Sequence, residues 1–274
     1  MRSNPPETFG KYSNGLKLGG IKVTIDGSPQ GRTAHFTTPY LTGGPSGEKD
    51  WKGEPTFPVE TINQMVKGVY DAKLPLIVHC NGDAAIDNFL AAHEAALGDA
   101  KAGDHRTGII HCQFVRKDQL DKIAAWKIIP SFYTEHTFFF GSTHIKNRGK
   151  EQAYFLSPLK SALARGITFA NHTDFNVAPI DQLFVVWSAV NRISREGEVI
   201  GPDERISAYE ALKAITCNVA HWYREEDRKG TLEVGKLADL VFLDKDPLKV
   251  EPMAIKDIKV VETIKAGKTI YNTK

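Results

Sequence analysis

The sequence predicts a parallel α/β fold that gives way near residue 230 to a small β-rich unit. One observation is a rhythm: short apolar runs alternate with longer stretches whose apolar residues recur at helical spacing. A second is that these runs lack polar alternation, as strands covered on both faces do. A third is the change after Tyr223, where Gly-punctuated strand patterns replace the strand–helix rhythm.

Residues 1–15 are polar, with Pro and Gly, and read as loop. Residues 20–25 are the first strand candidate, closed by the turn signal Asp26-Gly27-Ser28. Residues 28–56 are rich in Gly, Pro, Thr and Lys and form a long loop of the kind that shapes enzyme sites. Residues 58–72 predict a helix with Val59, Ile62, Met65, Val66 and Val69 on one side. LPLIVHC is then a buried strand and NGDAAIDNFLAAHEAAL a helix. GIIHCQF and RKDQLDKIAAW repeat the pair. KIIPSFY is a strand that leads into an aromatic, His-bearing loop, TEHTFFFGSTH. The helix PLKSALARG, the strand ITFANHTD and the helices PIDQLFVVWSAVNRI and SAYEALKAITCNVAHWY complete the run. Strands are therefore expected near residues 20–25, 75–80, 108–113, 128–133 and 167–172. Past residue 230, Gly235-Lys236 and Gly267-Lys268 are placed in hairpin-like turns.

A chain of 274 residues can bury a sizeable core, and 41% hydrophobic with 25% charged residues is ordinary for a globular protein. The balance of 35 basic against 33 acidic residues lacks the concentrated positive charge of a nucleic-acid or anionic-membrane binder. No apolar stretch has the length of a membrane span, and residues 1–15 lack the apolar core of a signal peptide, so a cytoplasmic location is expected. Cys80, Cys112 and Cys217 are odd in number and contain no CxxC, which fits a reducing compartment. Alternation puts Cys80 and Cys112 on the face opposite the histidines they follow, as buried thiols.

The polar residues set into this apolar rhythm carry the chemistry. His79 and His111 end the second and third strands in matching IVHC and IIHC contexts. Asp174 follows the fifth strand, and Lys22 lies inside the first. In a parallel barrel the C-terminal strand ends carry the active site. Imidazole and carboxylate suit zinc and similar divalent ions, which polarise carbonyls and acidify water. A carboxylate nearby can take the proton of that water. Each residue also has a structural reading: hydrogen-bonded strand-end histidines, Asp174 as a helix cap, and Lys22 snorkelling outward. Residue type and spacing leave both readings open.

The motifs resemble those of the amidohydrolase superfamily, most of all its amidohydrolase 3 branch, which includes N-substituted formamide deformylases. The matching stretches are GGIKVTIDGSPQGRTA, LPLIVHCNGDAAID, HRTGIIHCQFV, PSFYTEHTFFFGSTH, FANHTDFNVAPIDQL, RISAYEALKAITCNVA and KGTLEVGKLADLVFLDKDPL. The resemblance implies a partial (β/α)8 TIM-like barrel, strands four to eight, over residues 1–229, with residues 230–274 as a small β-sandwich-type unit. It implies a divalent metal, zinc foremost, held by His79, His111 and Asp174 on strands five, six and eight. Lys22 falls at the strand-four position where a lysine can be carboxylated and bridge two metals. Asp174 is implied as general base and His136 as the catalytic residue that orients substrate. His144 either reaches the same substrate pocket or lies on the surface. Asn81 and Asp83 are expected to order the His79 loop, and Phe138-Phe139-Phe140 fits an apolar substrate group or the core. The implied reaction is metal-assisted water attack on a non-peptide carbon–nitrogen bond of a small amide or formamide.

Family members begin with a small β domain and a strand bearing His-x-His, and this chain contains no His-x-His. The expectation is a barrel lacking three strands, whose open edges self-associate or recruit a complementing N-terminal chain. Two other readings stand beside the hydrolase: an inactive fragment or subunit, and a small-molecule binding module. A binding module tolerates chelation; a hydrolase site does not.

Overall fold

The computed structural model describes residues 4–273. A hairpin of β1 (Tyr12–Ser13) and β2 (Leu16–Lys17) precedes β3 (Ile21–Thr24). After a long loop come α1 (Val59–Asp71), β4 (Leu76–Cys80), α2 (Asp83–Leu97), β5 (Gly108–His111), α3 (Lys117–Ala125) and β6 (Ile129–Phe132). Then α4 (His136–Arg148), α5 (Lys150–Tyr154) and α6 (Leu159–Leu163) lead to β7 (Ala170–Asn171). Helices α7 (Gln182–Asn191), α8 (Ala208–Ile215) and α9 (Cys217–Trp222) precede β8 (Leu240–Leu243), β9 (Val260–Lys265) and β10 (Lys268–Asn272). Strands β3 to β7 form one sheet in chain order, every pairing parallel. This is the expected mixed α/β architecture, part of a (β/α)8 barrel, and a separate antiparallel sheet of β8, β9 and β10 follows it.

The sequence pattern explains the layering. On β4, Leu76, Val78 and Cys80 are fully buried, whereas Ile77 and His79 on the other face are only partly covered. The buried trio joins Ile62 and Val66 of α1 and Ile86 and Phe89 of α2 in the core between sheet and helices. On the inner face, Ile129, Ala170 and Trp222 pack with Ile77 and Ile110 as an apolar floor. Trp222 donates its indole N–H to the carbonyl of Arg106 at 3.0 Å. Its ring approaches β5 so closely that a Cβ at Gly108 would stand 2.1 Å away, so only glycine fits there. Above this floor lie the C-terminal strand ends.

Several sequence expectations need correction. TEHTFFFGSTH does not form a loop: His136 opens α4. Gly and β-branched Thr lower its intrinsic helix propensity, but His136, Phe140 and His144 fall on one helical face, Phe140 meeting the two imidazoles edge-on at ring separations of 5.0 and 6.2 Å, so packing prevails. Strand β7 is shorter than residues 167–172, because only Ala170 and Asn171 find partners on β6. Gly267 does sit in the β9–β10 turn, where Ala266 and Gly267 take φ of 50° and 80° as a type I′ turn requires. Gly235-Lys236 lies ahead of β8 and joins no pair of strands. Cys80, Cys112 and Cys217 are free, the first two buried.

The C-terminal sheet is tied to the barrel by the turn Pro252–Asp257, whose Ile255 is buried and whose Pro252 carbonyl accepts from Asn191 Nδ2 at 2.9 Å. Val241, Phe242, Ile270 and Tyr271 of that sheet are exposed. At the end of α7, fully buried Arg192 donates to the carbonyls of Leu156, Ser157 and Ile200 at 2.7, 3.0 and 2.7 Å, which satisfies its charge-bearing fork with backbone dipoles. No helix among the described residues is long and apolar enough to cross a membrane.

Candidate metal centre

Among the described residues, His111, His172 and Asp174 bring one ligand atom each to within 4.8 Å of one another, a set able to coordinate a divalent metal. His111 is the last residue of β5, His172 directly follows β7, and Asp174 lies two residues further. Parallel pairing through β6, which lies between them, brings these ends to the same edge of the sheet. His172 Nε2 faces His111 Nδ1 at 3.3 Å, while His172 Nδ1 meets Ser131 Oγ of β6 at 3.0 Å. A hydroxyl on the far nitrogen is the outer contact that fixes a ligating imidazole's ring and tautomer. His111 and Asp174 both take positive φ, 70° and 52°. That region is sparsely used outside glycine, though His and Asp tolerate it better than most residues, and such backbone clusters at functional sites.

Electrostatics keep the imidazoles neutral, the form that binds metal. Burial foremost, then the neighbouring His172, His79 and His136, holds His111 well below the usual histidine range. Burial, then the Lys22 ammonium, lowers His172 to about 3 and His79 to about 4. Asp174 is raised by burial and pulled down by Lys22. Lys22, on β3, is itself exposed.

His79 is beside this group without joining it. Its ring lies edge-on to His111, centroids 4.5 Å apart, but Nε2 turns to Asn81 Nδ2 at 3.0 Å and stands 3.8 Å from Asp26 Oδ1. Buried Asp26 accepts from the backbone N–H groups of His35, Asn81 and Gly82 at 2.8 to 3.0 Å. Burial nevertheless pushes its carboxyl up to about 7, against those three donors. Asn81 also donates to the Gly27 carbonyl, and Asp83 accepts from Thr37 N and pairs with Arg116. His136 and His144 are buried and stacked, His136 Nδ1 meeting His144 Nε2 at 3.0 Å. The surface alternative for His144 is thereby excluded. Of the phenylalanine stripe, Phe138 packs on Phe184 and Trp187, and Phe140 faces the two histidines.

Sequence reasoning passed over His172 and Asp26. The signal for His172 was present in NHTD, where a histidine two residues before Asp174 shares its side of an extended segment. Asp26 was absorbed into a turn signal.

Glu135, at the start of α4, is fully buried with neither carboxylate oxygen partnered among the described residues. Burial first and Asp181 second raise it from 4.5 to about 8. An acid raised on folding lends stability that is complete below its unfolded pKa and is lost as pH climbs through its folded one. Wild-type stability should therefore fall between pH 4.5 and 8. Glu135→Gln should remove that slope, gaining on the order of a few kcal/mol over wild type above pH 8. Urea unfolding at pH 5.5 and 8.5 measures it, and parallel pH profiles for the two proteins would refute it.

The parallel sheet with a His–His–carboxylate group at its C-terminal strand ends defines a barrel-type α/β protein with a site able to hold a divalent metal. The profile of the amidohydrolase family matches residues 3–271, and the chain belongs to that family. It is 25% identical over 257 residues to N-substituted formamide deformylase of Arthrobacter pascens, covering 93% of this chain and 46% of that protein. It is 29% identical over 261 residues to the protein LONG AFTER FAR-RED 3 of Arabidopsis thaliana, covering 94% of this chain and 44% of that one. The crystal structure of an uncharacterized metal-dependent hydrolase from Pyrococcus furiosus superposes with a TM-score of 0.74 at 30% identity, over 90% of this chain and 49% of the other. One from Pyrococcus horikoshii gives 0.77 at 25%, over 92% and 50%. The chain spans about half the length of these relatives.

Proposed function

We propose that the protein is a metal-dependent hydrolase of non-peptide carbon–nitrogen bonds, acting on a small amide or formamide. The observation that carries the reading is the convergence of His111, His172 and Asp174 at the C-terminal strand ends. Two imidazoles and a carboxylate favour zinc. Family membership and the formamide deformylase likeness point to the same bond type. When bound, the metal supplies Lewis-acid polarisation and lowers the pKa of water.

The chain's own residues do the rest. A carboxylate oxygen of Asp174 accepts the proton of the attacking water and passes it to the leaving nitrogen. Lys22 holds Asp174 toward its ionised, accepting form. His136, its Nδ1 fixed by His144, orients the substrate. His79 is assigned to the same centre as a flanking ligand, and Lys22 acts there through its ammonium charge.

The sheet bears on partners. β3 and β7 each have a single strand neighbour. A cleft of about 1540 Å³, lined in part by Ile77, Leu212, Ile215, Val219, Leu240 and Phe242, runs between barrel and C-terminal sheet. Open edges and apolar clefts of this size recruit protein, so we assign these surfaces to a second copy or to a polypeptide that adds strands.

The test is elemental analysis of protein purified without chelator, with light scattering for its assembly state and amine release from a panel of formamides and amides. Bound divalent metal and chelator-sensitive release are expected. Metal near zero after zinc reconstitution, with the fold intact, would sink the reading. Ligand binding that survives chelation would favour a binding module.

A further inference from the structure

The β6–α4 corner holds a polar group that neither the packing nor the mechanism above uses. Tyr133 follows the last residue of β6 and is fully buried. Its ring stacks on His172, centroids 5.3 Å apart at 27°. It meets His136 edge-on at 4.5 Å and lies 6.0 Å from His111. Yet its hydroxyl has no hydrogen-bond partner among the described residues. Buried tyrosine hydroxyls usually find one. If the ring's only task were to pack between two histidines, phenylalanine would do it without stranding an O–H.

The surroundings say what the hydroxyl awaits. It is a neutral donor at ordinary pH, since a phenol titrates near 10. The groups around it are the cluster histidines, Glu135 and Asp174: burial first, then the charges of Glu135 and Asp174, raise the phenol further. His172, on which the Tyr133 ring stacks, and Asp174 are only partly buried, so the cluster is open to a ligand on that side. No ring neighbour supplies that partner among the described residues: His136 Nδ1 meets His144 Nε2, and the two nitrogens of His172 face Ser131 and His111. A desolvated donor held in place before any ligand arrives is the arrangement that stabilises charge developing on an oxygen.

We infer that the Tyr133 hydroxyl donates a hydrogen bond to the carbonyl oxygen of the scissile bond and to the oxyanion that forms there, as a catalytic residue beside His136. The inference rests on the hydrolase reading for its substrate, and its test separates the two. Methylphosphonate, a tetrahedral oxyanion, is the probe, titrated into the zinc-loaded protein and its Tyr133→Phe variant. The wild type should bind it and show a tyrosine difference absorbance on binding. Y133F should keep its zinc content and near-ultraviolet circular dichroism, lose the difference band, and bind about 10- to 100-fold more weakly, the span of one hydrogen bond to a charged group. On any amide or formamide the wild type hydrolyses, kcat should fall about 10²–10³-fold with KM little changed. Unchanged methylphosphonate affinity in Y133F, or no binding to the wild type, overturns the assignment. Weakened binding with zinc retained sustains it even where no amide is hydrolysed, the outcome that would instead defeat the hydrolase reading. Hydrolysis that Y133F leaves intact defeats the inference and spares the function.

Discussion

Asp174→Asn should lower kcat by about 10²–10⁴-fold, the usual contribution of a positioned acid–base group, and leave the fold unchanged. The carboxamide is isosteric, and Asn accepts the left-handed backbone that Asp174 occupies at φ 52°. What it cannot do is take a proton. A carboxamide oxygen remains a weak ligand, so zinc content measured beside kcat separates lost metal from lost proton transfer. The pH profile gives a second handle. Burial raises the Asp174 carboxyl and the Lys22 ammonium opposes that rise. The base works ionised, so activity should fail on the acid side as Asp174 takes up a proton. Lys22→Met removes the opposing charge and should move that limb higher. An unchanged kcat in D174N on a confirmed substrate rules out the role.

The fold was legible because its signals are local. IVHC and IIHC lack polar alternation since one face packs on α1 and α2 and the other on an apolar floor, and that double burial is written in each strand. The chemistry was half legible for the same reason. A histidine at the end of an apolar run stands out, so His79 and His111 were found, and Asp174 with them. His172 was not, because ITFANHTD yields only two paired residues and nothing in it announces where the strand stops and the site begins. The role of Asp26 depends on three backbone N–H groups, one from the long loop and two from the turn after β4. Only tertiary structure brings those donors to it. α4 was missed because its helix is held by ring contacts among His136, Phe140 and His144, which periodicity could have shown but propensity hid. The Tyr133 hydroxyl is invisible in the sequence altogether, since an unpartnered group is a property of its surroundings.

The histidines of this centre should separate by how they face, which sequence position does not reveal. His111 and His172 present ring nitrogens 3.3 Å apart, close enough that either one proton lies between them or both lone pairs aim at a cation. His79 lies at the end of the adjacent strand, but its Nε2 is engaged by Asn81. Among the described residues the Ser131 hydroxyl meets the cluster at His172 Nδ1. Competition with a chelating dye should therefore rank the variants. Ser131→Ala frees the His172 ring and should weaken zinc about 10- to 100-fold, the usual loss for an outer partner. His172→Ala and His111→Ala remove a donor atom outright and should lose more than that. His79→Ala should fall short of both, since its ring must leave Asn81 before it can ligate. Circular dichroism guards against unfolding, which is a risk for buried His111 and small for partly exposed His172. If His79→Ala loses as much zinc affinity as His172→Ala, the Asn81 contact is not what the metal-bound protein keeps, and the pairing of His79 with the strand-five metal position is the better description. If His172→Ala binds zinc as tightly as wild type, the cluster of His111, His172 and Asp174 is not the site.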